Sequence, residues 1–387
     1  MINQVDAVTS GRHIPRLDGL RGLAILLVLV HHFSPEPDTG TSRFTGHVLK
    51  LLAEGRSGVD LFFVLSGFLI TGILLNTRND AGYFKNFYMR RTLRIFPLYY
   101  GVILFVIFLP SLLWPSWTAQ IWPASGKCST AWLWLYGTNI ACYLQLPVWP
   151  PHFWSLAVEE HFYLVWPLLV WLCSRRVMAG VCVGFILFAI VVRAVLASLT
   201  PDTNHLVFYL TPCRLDQLAI GGLIAILFRG AWGHRLGNMA KYAIVPVVGL
   251  LALLLLTTTE LGNPILRSPK LTLIALIFGL LLILVVLAPP RSILGMVFNH
   301  PVMRSIGKYS YGIYVFHALL SDPFDRCLPL QTIQHACGNF AVAVVVRMVI
   351  LGFISYGIAW LSWHLYEKHF LNLKRFFAYR KVNETSV

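Results

Sequence analysis

The chain has 387 residues, of which 57% are hydrophobic and 12% charged. A soluble domain carries about 25% charged residues, and the apolar residues here come in runs too long for a soluble core, so soluble fold classes are excluded and an all-α integral membrane protein is predicted. The net charge of +15 reads as basic loops that set topology and meet anionic lipid, and no nucleic-acid partner is expected.

Ten transmembrane spans are predicted, at roughly 17–34, 58–76, 95–114, 153–173, 177–197, 212–229, 242–258, 270–288, 305–321 and 340–364. Arg12 and Arg16, the basic stretch from Arg78 to Arg94, Arg175 and Arg176, and Arg291, Arg304 and Lys308 fall on one side together with both termini. That asymmetry places the termini in the cytoplasm. The first run has no cleavage site of small residues and opens on Asp18 and Arg21, so it reads as a retained span. The scheme gives a cytoplasmic tail over 1–15, a ten-helix membrane domain over 16–372 and a basic cytoplasmic tail over 373–387. The two tails are the segments expected to be disordered. Trp114 to Pro150, rich in Trp and Pro, reads as an outer segment that dips into the membrane or lies along it, because a full span there would invert every later loop.

The first span carries Asp18 and Arg21 near one end and His31-His32 at the other. Arg21 and His32 are separated by about three turns, which puts both on nearly one face and about 16 Å apart along the axis; His31 falls off that face. A cation and a titratable ring are costly in lipid, so a lined cavity is expected. In the second span Asp60, Gly67 and Thr71 share a face, and Asp60 also suits the first turn of a helix. The third span is entered by Arg90-Arg91-Thr92-Leu93-Arg94. Arg91 and Arg94 lie one turn apart, able to grip phosphates bidentately or to anchor topology.

The fourth span opens with Trp154-Ser155-Leu156 and continues to Glu159-Glu160-His161. The helix dipole accounts for one acid there more comfortably than for two. Arg214 and Asp216 enter the sixth span and suit either an internal ion pair or a substrate role. In the ninth, Ser310, Tyr314 and His317 share a face. Arg193 and Arg347 also lie in spans, with no role assigned. A Cys327–Cys337 disulfide is predicted in the last outer loop, and a Cys128–Cys142 pairing is left open. There is no metal-ligand spacing, P-loop or Rossmann glycine pattern. One arrangement connects these residues: an anionic carrier docks on the arginines, and a neutral histidine near the outer side acts as general base, oriented by a carboxylate.

These motifs resemble the bacterial membrane acyltransferase family 3. Asp18-Gly19-Leu20-Arg21-Gly22 to His32 is similar to its first-helix signature, in which an arginine is followed by ten residues and then histidine. Leu61-Phe62-Phe63-Val64-Leu65-Ser66-Gly67-Phe68 resembles its second motif, Arg91-Thr92-Leu93-Arg94 its Arg-x-x-Arg pair, and Trp154-Ser155-Leu156 with Glu159-Glu160 and Phe162-Tyr163 the next. Arg214-Leu215-Asp216 and Ser310-Tyr311-Gly312-Ile313-Tyr314 to His317 resemble the later ones, so the likeness runs from Leu17 to Phe370. The doubled histidine is a departure, and the family spacing selects His32.

The resemblance implies a ten-helix fold that moves an acyl group, often acetyl, from cytoplasmic acyl-CoA to a hydroxyl on a sugar or related acceptor. It implies that His32 is catalytic, that Arg21 belongs with it, and that Arg91 and Arg94 serve the acyl-CoA. Glu159, Glu160 or Asp60 is expected to orient the ring, with Asp18, Arg214, Asp216, Tyr314 and His317 as acceptor or support residues. No bound cofactor is expected, acyl-CoA being a co-substrate, and the chain resembles the members without a fused esterase-like domain. Transfer to a small acceptor such as a macrolide, an acyl-enzyme on His32 or Ser66, and a transporter built on the same buried charges are the competing readings.

Overall fold

The long apolar runs form long helices, and the polar residues between them form turns and short helical pieces. The computed structural model of the chain describes residues 2–35, 43–114, 130–199, 208–261 and 264–381, together with positions 116 and 120. Each predicted span corresponds to a helix: α1 (Pro15–Phe33), α2 (Gly58–Thr77), α3 (Tyr83–Val102), α4 (Trp154–Leu172), α5 (Arg175–Leu199), α6 (Leu215–Phe228), α7 (Leu236–Leu261), α8 (Pro264–Leu287), α9 (Ser310–Cys327) and α10 (Phe340–Ser362). Pro15 sits in the first turn of α1, where its missing N–H costs nothing. The Asn339 side chain accepts from the Val342 N–H and caps α10.

Among the described residues, seven helical runs, those containing α2, α3, α5, α6, α7, α8 and α10, are long and apolar enough to cross a membrane. The other three fall short of that measure for a chemical reason. α1 carries Asp18 and Arg21, α4 carries Glu159 and Glu160, and α9 carries Asp322, Asp325 and Arg326. The helices that hold the polar candidates are the ones whose apolar signal those candidates dilute. Large apolar side chains cover the outer faces, with Leu164 and Leu168 of α4, Leu187 and Val191 of α5 and Val245 of α7 exposed, as a lipid-facing surface requires.

α2 and α6 are the most deeply buried of the seven. Their backbones touch. A Cβ at Gly67 would stand 1.9 Å from the Leu218 carbonyl oxygen, and one at Gly221 2.0 Å from that of Val64. Small residues permit this approach. Gly67→Ala must therefore push α6 away and is expected to cost about 1–3 kcal/mol, read as a lower thermal midpoint of the detergent-solubilised protein. Gly180→Ala, where a Cβ meets nothing within 4 Å, leaves the midpoint in place.

Three expectations are corrected. The described parts of the two tails are ordered: Ile2–Thr9 is a helix, and β1 (Asp80–Ala81) pairs antiparallel with β2 (Arg380–Lys381). Guanidiniums hold both segments, Arg229 donating to the Val8 carbonyl (3.1 Å) and Arg90 to that of Lys374 (3.2 Å). Cys327 and Cys337 are free and exposed. Cys327 closes α9 and Cys337 closes the helix Leu330–Cys337. Cys128 lies outside the described residues. The Trp114 to Pro150 region contains, where described, the helices Ala131–Trp134 and Thr138–Tyr143, far too short to cross. The hydroxyls of Tyr99 and Tyr100 donate to its Leu133 and Trp134 carbonyls (2.8 and 3.1 Å) and tie it to α3. The third correction, to the carboxylate partners, belongs to the site.

Candidate functional site

α1, α2, α3, α4 and α9 enclose a cavity of about 720 Å³. One part of its wall is cationic, with Arg21 from α1 and Arg91 and Arg94 from α3. The spacing of three on α3 puts Arg91 and Arg94 on one face, and the helix directs both toward Arg21. The rest of the wall includes Ser66, Ser155, Glu159, Glu160, Tyr163, Ser310 and Tyr314. Ser10 and His13 border the cavity before α1, and Lys374 and Tyr379 after α10.

The acids of α4 sit beside the arginines. The Arg91 guanidinium lies over the Tyr163 ring at 4.7 Å from its centroid, a cation–π contact. The Tyr163 hydroxyl donates to Glu159 Oε2 (3.1 Å), and Ser66 Oγ lies 2.5 Å from the same hydroxyl. An ionised carboxylate only accepts, so the single phenolic proton goes to Glu159 and Ser66 donates to Tyr163. Glu160 leaves one buried carboxyl oxygen without a partner.

His32 does not line the cavity. Its Nδ1 is 3.0 Å from the Val28 carbonyl. A carbonyl cannot donate, so Nδ1 carries the proton and Nε2 keeps a lone pair, the tautomer a general base needs. His317 has the same arrangement, with Nδ1 2.7 Å from the Tyr314 carbonyl and its fully buried Nε2 unpartnered. The His32 and His317 rings are 4.7 Å apart between centroids, in edge-to-face contact, and His152 stands 4.9 Å from His317. Tyr314 borders both regions. It lines the cavity, packs against His152 and His317 with centroids 5.4 Å away, shares a 2.5 Å hydrogen bond with Ser155 and donates to the His152 carbonyl.

His152 was not singled out by sequence reasoning, although its place two residues before Trp154-Ser155-Leu156 was a usable signal. Arg347 was also missed as a contributor. It donates to the Phe33 carbonyl, next to His32, and grips Asp325 of α9 through both carboxylate oxygens (2.9 and 2.7 Å). It thereby ties the end of α1 to the helix that carries His317.

The expected carboxylate partners of His32 are elsewhere. Asp60 is ion-paired with Arg214 (2.7 Å), whose guanidinium also covers Trp154 at 5.0 Å. Asp216 pairs with Arg193 (2.9 Å) and accepts from Thr272 (2.6 Å). Asp18 faces His13 at 3.0 Å. Glu159 and Glu160 are on the cavity wall with the arginines. Among the described residues no carboxylate is hydrogen-bonded to His32, and the backbone performs the orienting task assigned to one. None of Asp18, Asp60, Arg214 and Asp216 lines the cavity.

A family model described as "Acyltransferase domain" matches residues 14–364. The chain is 29% identical to "Peptidoglycan O-acetyltransferase OatA" of Listeria monocytogenes, over 80% of this chain and 49% of that protein. It is 29% identical to "Putative peptidoglycan O-acetyltransferase YrhL" of Bacillus subtilis, over 92% and 55%, and 29% identical to a putative O-acetyltransferase of Staphylococcus aureus, over 79% and 50%. The chain thus spans about half the length of the curated relatives it matches. No solved structure matches it.

Proposed function

The chain belongs to this acyltransferase family, and on that premise we propose that it is a membrane O-acyltransferase. It moves an acyl group, acetyl first among the candidates, from acyl-CoA to a hydroxyl of a cell-surface glycan of the peptidoglycan kind. It does so as a multi-pass protein of the bacterial plasma membrane, with the arginine end of the cavity on the cytoplasmic side.

One observation carries this reading: a single cavity has Arg21, Arg91 and Arg94 on its wall and also reaches Tyr314, whose ring touches the histidine cluster. Fixed guanidiniums suit the phosphates of a nucleotide thioester. The acyl end then extends past Glu159 to Tyr314 and Ser155. Displacement of the Tyr314 side chain exposes it to His32. There the acceptor hydroxyl oxygen attacks the thioester carbonyl carbon while Nε2 of His32 removes its proton. The C–S bond breaks, and the proton passes to the departing sulfur, returning His32 to its neutral form.

The test uses the full chain in nanodiscs, acetyl-CoA labelled in the acetyl group, and muropeptide, oligosaccharide and macrolide acceptors. The expected result is label on a glycan hydroxyl with one free thiol released per acetyl. Label on the macrolide alone replaces the acceptor and keeps the enzyme. Intact acetyl-CoA with every acceptor overturns the reading, and solute movement by the same protein in liposomes then favours a transporter.

A further inference from the structure

Among the described residues, the segment after α10 adds a lysine to the cavity wall beside the arginines of α1 and α3. Leu373–Phe377 forms a turn that places Lys374 on the wall shared with Arg21, Arg91 and Arg94. Among the described residues none of these four makes an ion pair with a carboxylate. With Arg90 on the same wall these cations outnumber the carboxylates Glu159 and Glu160 there, and a bound anion relieves the remaining repulsion.

The segment is also held there redundantly. β2 pairs with β1. The Asn86 side chain donates to the Ala378 carbonyl (3.2 Å), and Arg90 donates to the carbonyls of Lys374 (3.2 Å) and Phe377 (3.4 Å). Arg90 in addition lies over the Tyr379 ring at 5.5 Å. Arg90 is thus engaged in fastening the segment, which separates its task from that of Arg91 and Arg94. A turn fixed from both flanks, with the side chain of Lys374 inward, is the geometry of a wall.

We propose that residues 373–379 form the closing wall of the donor site and that Lys374 binds a phosphate of the donor's nucleotide half. This rests on the reading of the donor as acyl-CoA. The compact ammonium of Lys374 on its flexible stem serves as a point charge for one phosphate, where the arginines offer flat, paired donors.

The experiment measures coenzyme A affinity by calorimetry on the full chain in nanodiscs, and turnover with acetyl-CoA and with S-acetylpantetheine, which lacks the nucleotide. Lys374→Gln is expected to weaken coenzyme A binding and raise KM for acetyl-CoA by about tenfold or more, the worth of one hydrogen bond to a charged group. It leaves kcat/KM for S-acetylpantetheine in place, and Lys374→Arg restores most of the acetyl-CoA KM. Equal affinity in Lys374→Gln and wild type overturns the inference. So does an equal loss on both thioesters, which reports damage to the site at large. The donor reading is checked separately by Arg91→Ala/Arg94→Ala. If that variant loses coenzyme A while Lys374→Gln does not, only the inference about Lys374 fails. If the wild type does not bind coenzyme A, both fail.

Discussion

Replacing His32 by alanine is expected to lower acyl transfer by about 10²–10⁴-fold, the usual worth of a general base, without weakening coenzyme A binding. The split follows from position. In the proposed reading the donor's phosphates sit on the arginine wall, and His32 is not among the residues that line that cavity. His31→Ala is the internal control. Its ring meets His32 edge to face at 4.8 Å but lies off the face that Arg21 and His32 share, so its loss changes transfer by less than about tenfold. Radiolabel transfer and calorimetry on the same preparations decide the matter. A His32→Ala protein that transfers at the wild-type rate removes the base from the mechanism. One that fails to bind coenzyme A moves His32 into the donor site.

Replacing Arg193 by methionine is expected to destabilise the protein by about 3–5 kcal/mol, because it strands a buried carboxylate. Arg193 and Asp216 are fully buried. The guanidinium donates to Asp216, to Thr272 (2.6 Å) and to the carbonyls of Cys213 (2.6 Å) and Ser268 (3.1 Å), and so joins α5, the start of α6 and α8. The double variant Arg193→Met/Asp216→Leu removes the charge together with its partner and recovers most of the loss, as apolar replacement of buried pairs commonly does. Thermal unfolding in one detergent ranks the three proteins. A single variant as stable as wild type shows that the pair contributes nothing to the fold and reopens a substrate role for Asp216.

The arginine wall was legible because helical spacing is local. Three residues from Arg91 to Arg94 fix a shared face whatever the helix packs against, and the first-span count does the same for Arg21 and His32. Which acid meets which base was not legible. Arg214 lies two residues from Asp216 yet pairs with Asp60 of α2, while Asp216 takes Arg193 from α5. Periodicity gives the face of a helix but not its neighbour. The orientation of His32 by a carbonyl four residues back needs no special residue and leaves no mark on the sequence. The segment after α10 was misread for a related reason. Its charges resemble a solvated tail, and the Arg90 and Asn86 contacts that hold it are made to its backbone, which composition does not register.

Tyr314, hydrogen-bonded to Ser155 and to the His152 carbonyl, has a consequence for the cell that contains this protein. An energised bacterial membrane carries a voltage and a pH difference, and a charge moving across 100 mV yields about 2.3 kcal/mol. A water-filled passage from the arginine wall to the histidines would let protons run down that difference through the imidazoles. Tyr314, which lines the cavity and packs against the rings of His152 and His317, stands on that path.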